Sequence, residues 1–146
     1  MRAKLLDATG QKTFLLVCDK GEEAVTALTQ FARSERLGAA HFTAIGAFSE
    51  VTLGYFDRAR KDYKRMPLAA QVEVLSLIGD VALDKTGEPK IHAHVVVGLA
   101  DGAARGGHLL AGRVWPTLEV VLVESPAYLR KRDDPETGLA LIDPAA

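Results

Sequence analysis

The 146 residues contain a single cysteine, Cys18, so no internal disulfide can form and a reducing, intracellular setting is expected. Cys18 ends the apolar run Phe14-Leu15-Leu16-Val17, which suggests a small buried side chain. No basic neighbour or helix start is evident there to activate a thiol. Long apolar runs are missing too, and none approaches the ~18 residues that span a bilayer. The opening Met1-Arg2-Ala3-Lys4-Leu5-Leu6-Asp7 lacks the continuous apolar stretch of a signal peptide, so a cytoplasmic location is expected. Charge of one sign is not in excess: 18 Lys and Arg face 19 Asp and Glu, for a net charge of -1. That balance argues against a protein whose main task is to coat nucleic acid or an anionic membrane. No repeat, low-complexity tract or dividing linker interrupts the chain, and its size predicts one domain over residues 1–146.

Hydrophobic residues make up 48% and charged residues 25%, a composition that excludes wholesale disorder. Lys12–Cys18 has strand composition and is bracketed by Gly10 and Asp19. A helix is predicted next. Asp19 and Glu22 have capping-box spacing, Ala24, Val25, Leu28, Phe31 and Ala32 recur at helical spacing, and Gly38 suits the stop. Beyond Gly38 the period becomes two. Ala39–Ile45, Glu50–Asp57, Gln71–Leu83, Lys90–Leu99 and Thr117–Glu124 read as strands. Asp84-Lys85-Thr86-Gly87, Asp101-Gly102, Gly106-Gly107 and Trp115-Pro116 read as the turns between them. Short turns favour antiparallel pairing, because parallel neighbours need long crossovers. Val95-Val96-Val97 and Val120-Val121-Leu122-Val123 are apolar on both faces and need cover from the helix or from another subunit. The expected fold is α+β: a bent or barrel-like antiparallel sheet with one main helix packed on it.

Chemistry concentrates in the histidines. His92 and His94 are two apart in a strand-like segment, so both imidazoles leave the same face. A turn near Asp101-Gly102 would fold His108 back roughly opposite His94, on that same face. Three converging imidazoles would suit Zn²⁺ first and other first-row divalent ions second. The competing reading satisfies each histidine through ordinary polar partners on a half-buried strand. His41 reads as structural. Glu73 and Glu119 are carboxylates in otherwise core-like strands, and either could orient a ligand histidine or act as a general base. An ion pair with an arginine such as Arg113 is the alternative for each. A His-x-His pair is also a cupin feature, but Val95-Val96-Val97 stands where the cupin glutamate would be.

Several segments together resemble the plants and prokaryotes conserved (PPC) domain. They are Ala44-Ile45-Gly46-Ala47 with Gly54-Tyr55-Phe56, Glu73-Val74-Leu75-Ser76-Leu77-Ile78-Gly79, His92-Ala93-His94, Asp101-Gly102, Gly106-Gly107-His108-Leu109, and Arg132-Asp133-Asp134 with Gly138-Leu139. The resemblance runs from about Lys12 to Leu141. It implies an α+β homotrimer of the stand-alone prokaryotic type, with zinc or another divalent metal on His92, His94 and His108. Plant members add Arg-Gly-Arg-Pro AT-hooks that enter the minor groove, and this chain has none, so their DNA binding does not carry over. A regulatory or DNA-associated role is the function the resemblance suggests. The alternative is a metal-dependent hydrolase acting on a small molecule through zinc-activated water, with Glu73 as base. A scaffold with a purely structural metal is the third.

Arg58, Arg60 and Lys61 follow Tyr55-Phe56 and precede Tyr63, with Lys64 and Arg65 beyond. A basic, aromatic-bearing hairpin there could contact nucleic acid or another anion. The more ordinary reading is a solvated loop. The Gly-rich stretch Gly102–Gly112 matches neither a P-loop nor a dinucleotide fingerprint and reads as a close-packed turn.

Overall fold

The computed structural model describes residues 1–7, 9–126 and 128–145. In chain order the elements are β1 (Arg2–Asp7), β2 (Thr13–Cys18), α1 (Ala24–Ser34), β3 (Ala39–Asp57), β4 (Asp62–Leu68), β5 (Val72–Leu83), β6 (Pro89–Gly98), β7 (Ala104–Glu124), β8 (Lys131–Asp133) and β9 (Ala140–Ile142). Strands β1 to β7 form one antiparallel sheet in the order β1-β2-β7-β6-β5-β3-β4, and a further β7–β3 pairing bends it into a ring. Strands β8 and β9 form a separate hairpin. The α+β expectation with one main helix agrees with this architecture.

The helix starts later than expected. Gly21 has a φ of 88°, open to glycine but costly for other residues, and its N–H donates to the Val114 carbonyl. The turn is thereby tied to β7. Glu22 does accept from the Asp19 N–H at 2.7 Å, as a capping box would, but the N-cap is Glu23, whose carboxylate accepts from the Val25 and Thr26 N–H groups. Ala24, Ala27, Leu28, Phe31 and Ala32 form the buried stripe, and α1 packs against β6 and β7. Phe31 meets Phe14 of β2 edge to face at 5.1 Å. Burying Leu28 and Phe31 contributes roughly 1.5–3 kcal/mol each.

Three predicted interruptions are absent. Ala39–Ile45 and Glu50–Asp57 are halves of one 19-residue strand, β3, which bends at pairing irregularities around Gly46 and Phe48. The expected turns at Gly106-Gly107 and Trp115-Pro116 lie inside the 21-residue β7. Such length lets β7 pair with β6 through its first residues, with β2 through its last, and with β3 along most of its course. Ring closure follows from these two long bent strands.

Inside the ring lie Phe42, Phe48, Leu53, Leu77, Val81, Val97, Val114 and Leu118, all fully or almost fully buried. A pairing irregularity in β5 between Val74 and Ser76 changes which residues point there. Before it Val72 and Val74 face inward; after it Leu77 and Val81 do, and Ile78 is turned to the outer face. The same shift sends Asp80 outward, beside the histidines of β6.

Candidate metal centre

Strand β6 alternates strictly, with Ala93, Val95 and Val97 buried and His92, His94 and Val96 outward. The turn after β6 is closed by Gly102 N–H to Leu99 C=O and Leu99 N–H to Ala103 C=O. It returns the chain as β7 with His108 directly opposite His94. The three imidazoles therefore share one patch on the outside of the ring. Ring centroids lie 5.2 Å apart for His92–His94, 5.2 Å for His92–His108 and 5.5 Å for His94–His108. One ligand nitrogen from each lies within 4.8 Å of the others. A tetrahedral ion with Zn–N bonds of about 2.0–2.1 Å needs nitrogens roughly 3.4 Å apart, which modest side-chain rotations would provide.

Neighbouring side chains engage the outer nitrogens. Asp80 on β5, directly opposite His92, places Oδ2 3.2 Å from its Nδ1. Tyr63 on β4 places its hydroxyl 3.4 Å from Nδ1 of His108, with the two rings 4.6 Å apart. Gly54 makes room for this ring, since a Cβ there would come within 2.9 Å of the Tyr63 ring. His92 and His108 thus keep Nε2 for a ligand role. Burial pushes the His108 pKa down to about 4, assisted by the charges of His92, His94 and Lys131. His94 is lowered as well, first by desolvation and then by His92. Neutral imidazole is the form that binds metal. The donor set, the lowered pKa values of His94 and His108 and the polar supports all fit a first-row divalent cation.

Lys131 of β8 approaches Asp80 from the other side, with Nζ 3.8 Å from Oδ1. Its side chain is 8% exposed, and burial lowers its pKa while Asp80 raises it. Asp80 Oδ1 is buried and accepts no hydrogen bond. Next to His92 and His94 a cleft of about 440 Å³ opens, lined also by His41, Thr43, Ile78 and Asp80. His41 is exposed and pairs in register with Asp80, so it borders the cleft without joining the cluster.

The other predicted positions lie elsewhere. Glu73 is exposed at the opposite end of β5, paired with Gly98, seven residues from Asp80 and so roughly 20 Å along the strand. Within one chain the structure does not bring Glu73 to the histidines; Asp80 is the carboxylate that reaches them. Glu119 is exposed beside Val17 and Ile45 on the outer face, and Arg113 pairs with Glu50. Arg58, Arg60 and Lys61 form the tip between β3 and β4, where Lys61 donates to the Pro135 carbonyl at 3.4 Å. Their hairpin also carries Tyr63. Asp80, Tyr63 and Lys131 are the site neighbours that the sequence did not single out. Only the strand register, which puts Asp80 opposite His92, could have flagged the first of them.

The Plants and Prokaryotes Conserved (PCC) domain model matches residues 6–126. A plant- and prokaryote-conserved protein from Pyrococcus horikoshii is 34% identical, covering 94% of this chain and 97% of its own, with a TM-score of 0.86. A metal-containing protein from Archaeoglobus fulgidus is 34% identical over 95% of this chain and 98% of its own, with a TM-score of 0.84. A candidate DNA-binding protein from Ralstonia eutropha is 32% identical over 89% and 90%, with a TM-score of 0.83. Among curated relatives, a bifunctional protein GlmU from Synechococcus is 34% identical over 121 residues. Those residues are 81% of this chain but 18% of the relative's length.

Proposed function

Because the chain belongs to the Plants and Prokaryotes Conserved domain family, we propose that it is a metal-binding homotrimer of the stand-alone type, with zinc or another first-row divalent ion on His92, His94 and His108. The observation that carries this is the gathering of three ligand nitrogens within 4.8 Å, with Asp80 gripping one imidazole from behind. The metal-containing Archaeoglobus relative supports it. Elemental analysis of purified protein, wild type against His92→Ala/His94→Ala, tests it. About one metal per chain in the wild type and none in the variant is expected; an equal content in both would overturn the reading.

Trimer formation is supported by the outer sheet face. Ile45, Ile78, Val96 and Val121 are 61%, 56%, 42% and 43% exposed there, and Ile78 pairs in register with His94. Aliphatic surface of that extent calls for cover. A cytoplasmic setting fits the lone Cys18, which is buried and whose thiol desolvation pushes up to about 11. Among the described residues, no helix is long and apolar enough to cross a membrane.

A hydrolytic reading is favoured by the cleft beside His92 and His94, which could admit a small molecule. A bound divalent ion would supply Lewis acidity there. In such a site Asp80 would hold His92 in its ligand tautomer and Tyr63 would orient His108. Glu73 could act as base only if another subunit carried it to the cluster.

A DNA-associated role is supported by the Ralstonia relative and by the exposed Arg58, Arg60 and Lys61 tip. Direct binding would appear as salt-sensitive retardation of duplex DNA, lost when these three residues become alanine. Absence of retardation at low salt would overturn it.

A further inference from the structure

The two oxygens of Asp80 meet different surroundings. Oδ2 lies 3.2 Å from His92 Nδ1 and supports that imidazole. Oδ1 is buried and, among the described residues, accepts no hydrogen bond; Lys131 Nζ stands 3.8 Å from it. A buried acceptor without a donor is costly, and more so on a carboxylate than on a neutral group. Both oxygens belong to one group that rotates as a unit. A turn that relieved Oδ1 would therefore take Oδ2 away from His92, and whatever holds Oδ1 also aims Oδ2.

The C-terminal segment, beyond the residues matched by the family model, brings Lys131 to that oxygen. Leu83 N–H donates to the Leu129 carbonyl, and Leu83 forms a parallel bridge with Arg130. The Arg130 carbonyl accepts from Asp143 N–H, and β8 begins at the next residue with Lys131 opposite Ile142 of β9. Lys85 donates to Asp133 at 3.0 Å, and Arg132 lies 3.1 Å from Asp143. The hairpin is thereby strapped to the end of β5, just past Asp80. Ala82, on the same face as Asp80 by strand alternation, is fully buried there. The Lys131 side chain is only 8% exposed, so its ammonium is held in place beside Oδ1.

We propose that Lys131 is a positioning residue for the metal centre: it holds Asp80 Oδ1, so that Oδ2 fixes His92 with Nδ1 protonated and Nε2 free for the ion. The inference rests on the metal-binding reading above. A shift of about 1 Å would bring the ammonium to the 2.7–2.9 Å of a charge-assisted hydrogen bond. Lys131 acts through Asp80 and ligates nothing itself. Its charge also bears on His108 and by itself opposes a cation nearby. Positioning and bare electrostatics therefore predict opposite outcomes. Losing the charge alone tightens metal binding, whereas losing the hold on Asp80 weakens it.

Zinc titration of the full chain, together with nitrogen NMR of its histidine rings before metal is added, tests this. Metal-free wild type is expected to show His92 as the Nδ1–H tautomer. Lys131→Met is expected to mix the two tautomers of His92 and to raise the zinc dissociation constant about tenfold, as loss of a carboxylate behind a ligand histidine does. Should that variant not fold, as its melting curve will report, Lys131→Gln carries the same comparison. In an Asp80→Asn background, Lys131→Met should weaken zinc binding no further, because the group it acts through has already lost its charge. Lys131→Met binding zinc as tightly as wild type, or more tightly, would overturn the proposal. So would weaker binding with the His92 tautomer unchanged, or a further tenfold loss in the Asp80→Asn background. Wild-type protein that takes up no zinc would sink the metal reading and this proposal together, whereas wild-type uptake with an unaltered Lys131→Met would sink the proposal alone.

Discussion

Asp80 and His92 face each other across β5 and β6, with the carboxylate Oδ2 3.2 Å from the imidazole Nδ1. A carboxylate in that place fixes the tautomer of a ligand histidine and raises its basicity, an effect commonly worth 10–100-fold in metal affinity. Asp80→Asn keeps the shape and removes the charge. Its metal dissociation constant is expected to rise by about 10–100-fold, with the circular dichroism spectrum unchanged. Wild-type affinity in this variant would show that His92 needs no such support.

Acid should destabilise the metal-free protein in a defined window. His108 is held down to about 4 in the folded chain, mainly by burial, against an ordinary value near 6.5. Between those values the unfolded chain binds a proton that the folded chain refuses, so stability falls as pH drops through the window. Above pH ~6.5 the contribution is fully present. Its size is roughly 2 kcal/mol once partial exposure is allowed for. Urea unfolding at pH 7 and pH 4.5 measures it, and His108→Gln should flatten the slope. An equal slope in the variant would locate the effect elsewhere.

Gly79 sits between Ile78 and Asp80 on β5, and a Cβ there would lie 2.4 Å from the Phe42 ring and 2.5 Å from the His92 carbonyl oxygen. The ring belongs to the core and the carbonyl to the neighbouring strand, so neither can easily give way. Gly79→Ala is expected to cost about 2 kcal/mol or more by overpacking and to weaken metal binding by displacing β6. Thermal melting together with a metal titration checks both. A neutral substitution would mean that β5 and β6 can separate freely.

The exposed aliphatic face predicts association. Ile45→Asp and Val121→Asp each put a charge where a second copy would bury it, and burying an unpaired charge is prohibitive. Light scattering should show trimer in the wild type and monomer in the double variant, which should still fold because both side chains point away from the core. A wild-type monomer at micromolar concentration would end the homotrimer proposal.

The alternation of Lys90–Leu99 and the turn residues after it were enough to place His92, His94 and His108 on one face, because side-chain period in a strand is local geometry. The buried stripe of α1 was equally legible from its spacing, and so was the buried Cys18. What the pattern could not carry was the course of β3 and β7. Their bends replace predicted turns, and their partners lie far along the chain. The choice of carboxylate was also beyond it. An irregularity between Val74 and Ser76 reverses the facing of β5, so Glu73 and Asp80 share the outer face although their positions differ by an odd number.

The amino-acid order by itself determined β2, β5, β6, the helical stripe and the histidine triplet, because periodicity and turn chemistry act between near neighbours. Tertiary structure alone decided that Asp80, Tyr63 and Lys131, drawn from three other strands, would surround that triplet. Their meeting depends on cross-strand register and on where the C-terminal hairpin docks. Contacts between residues remote in the chain set both.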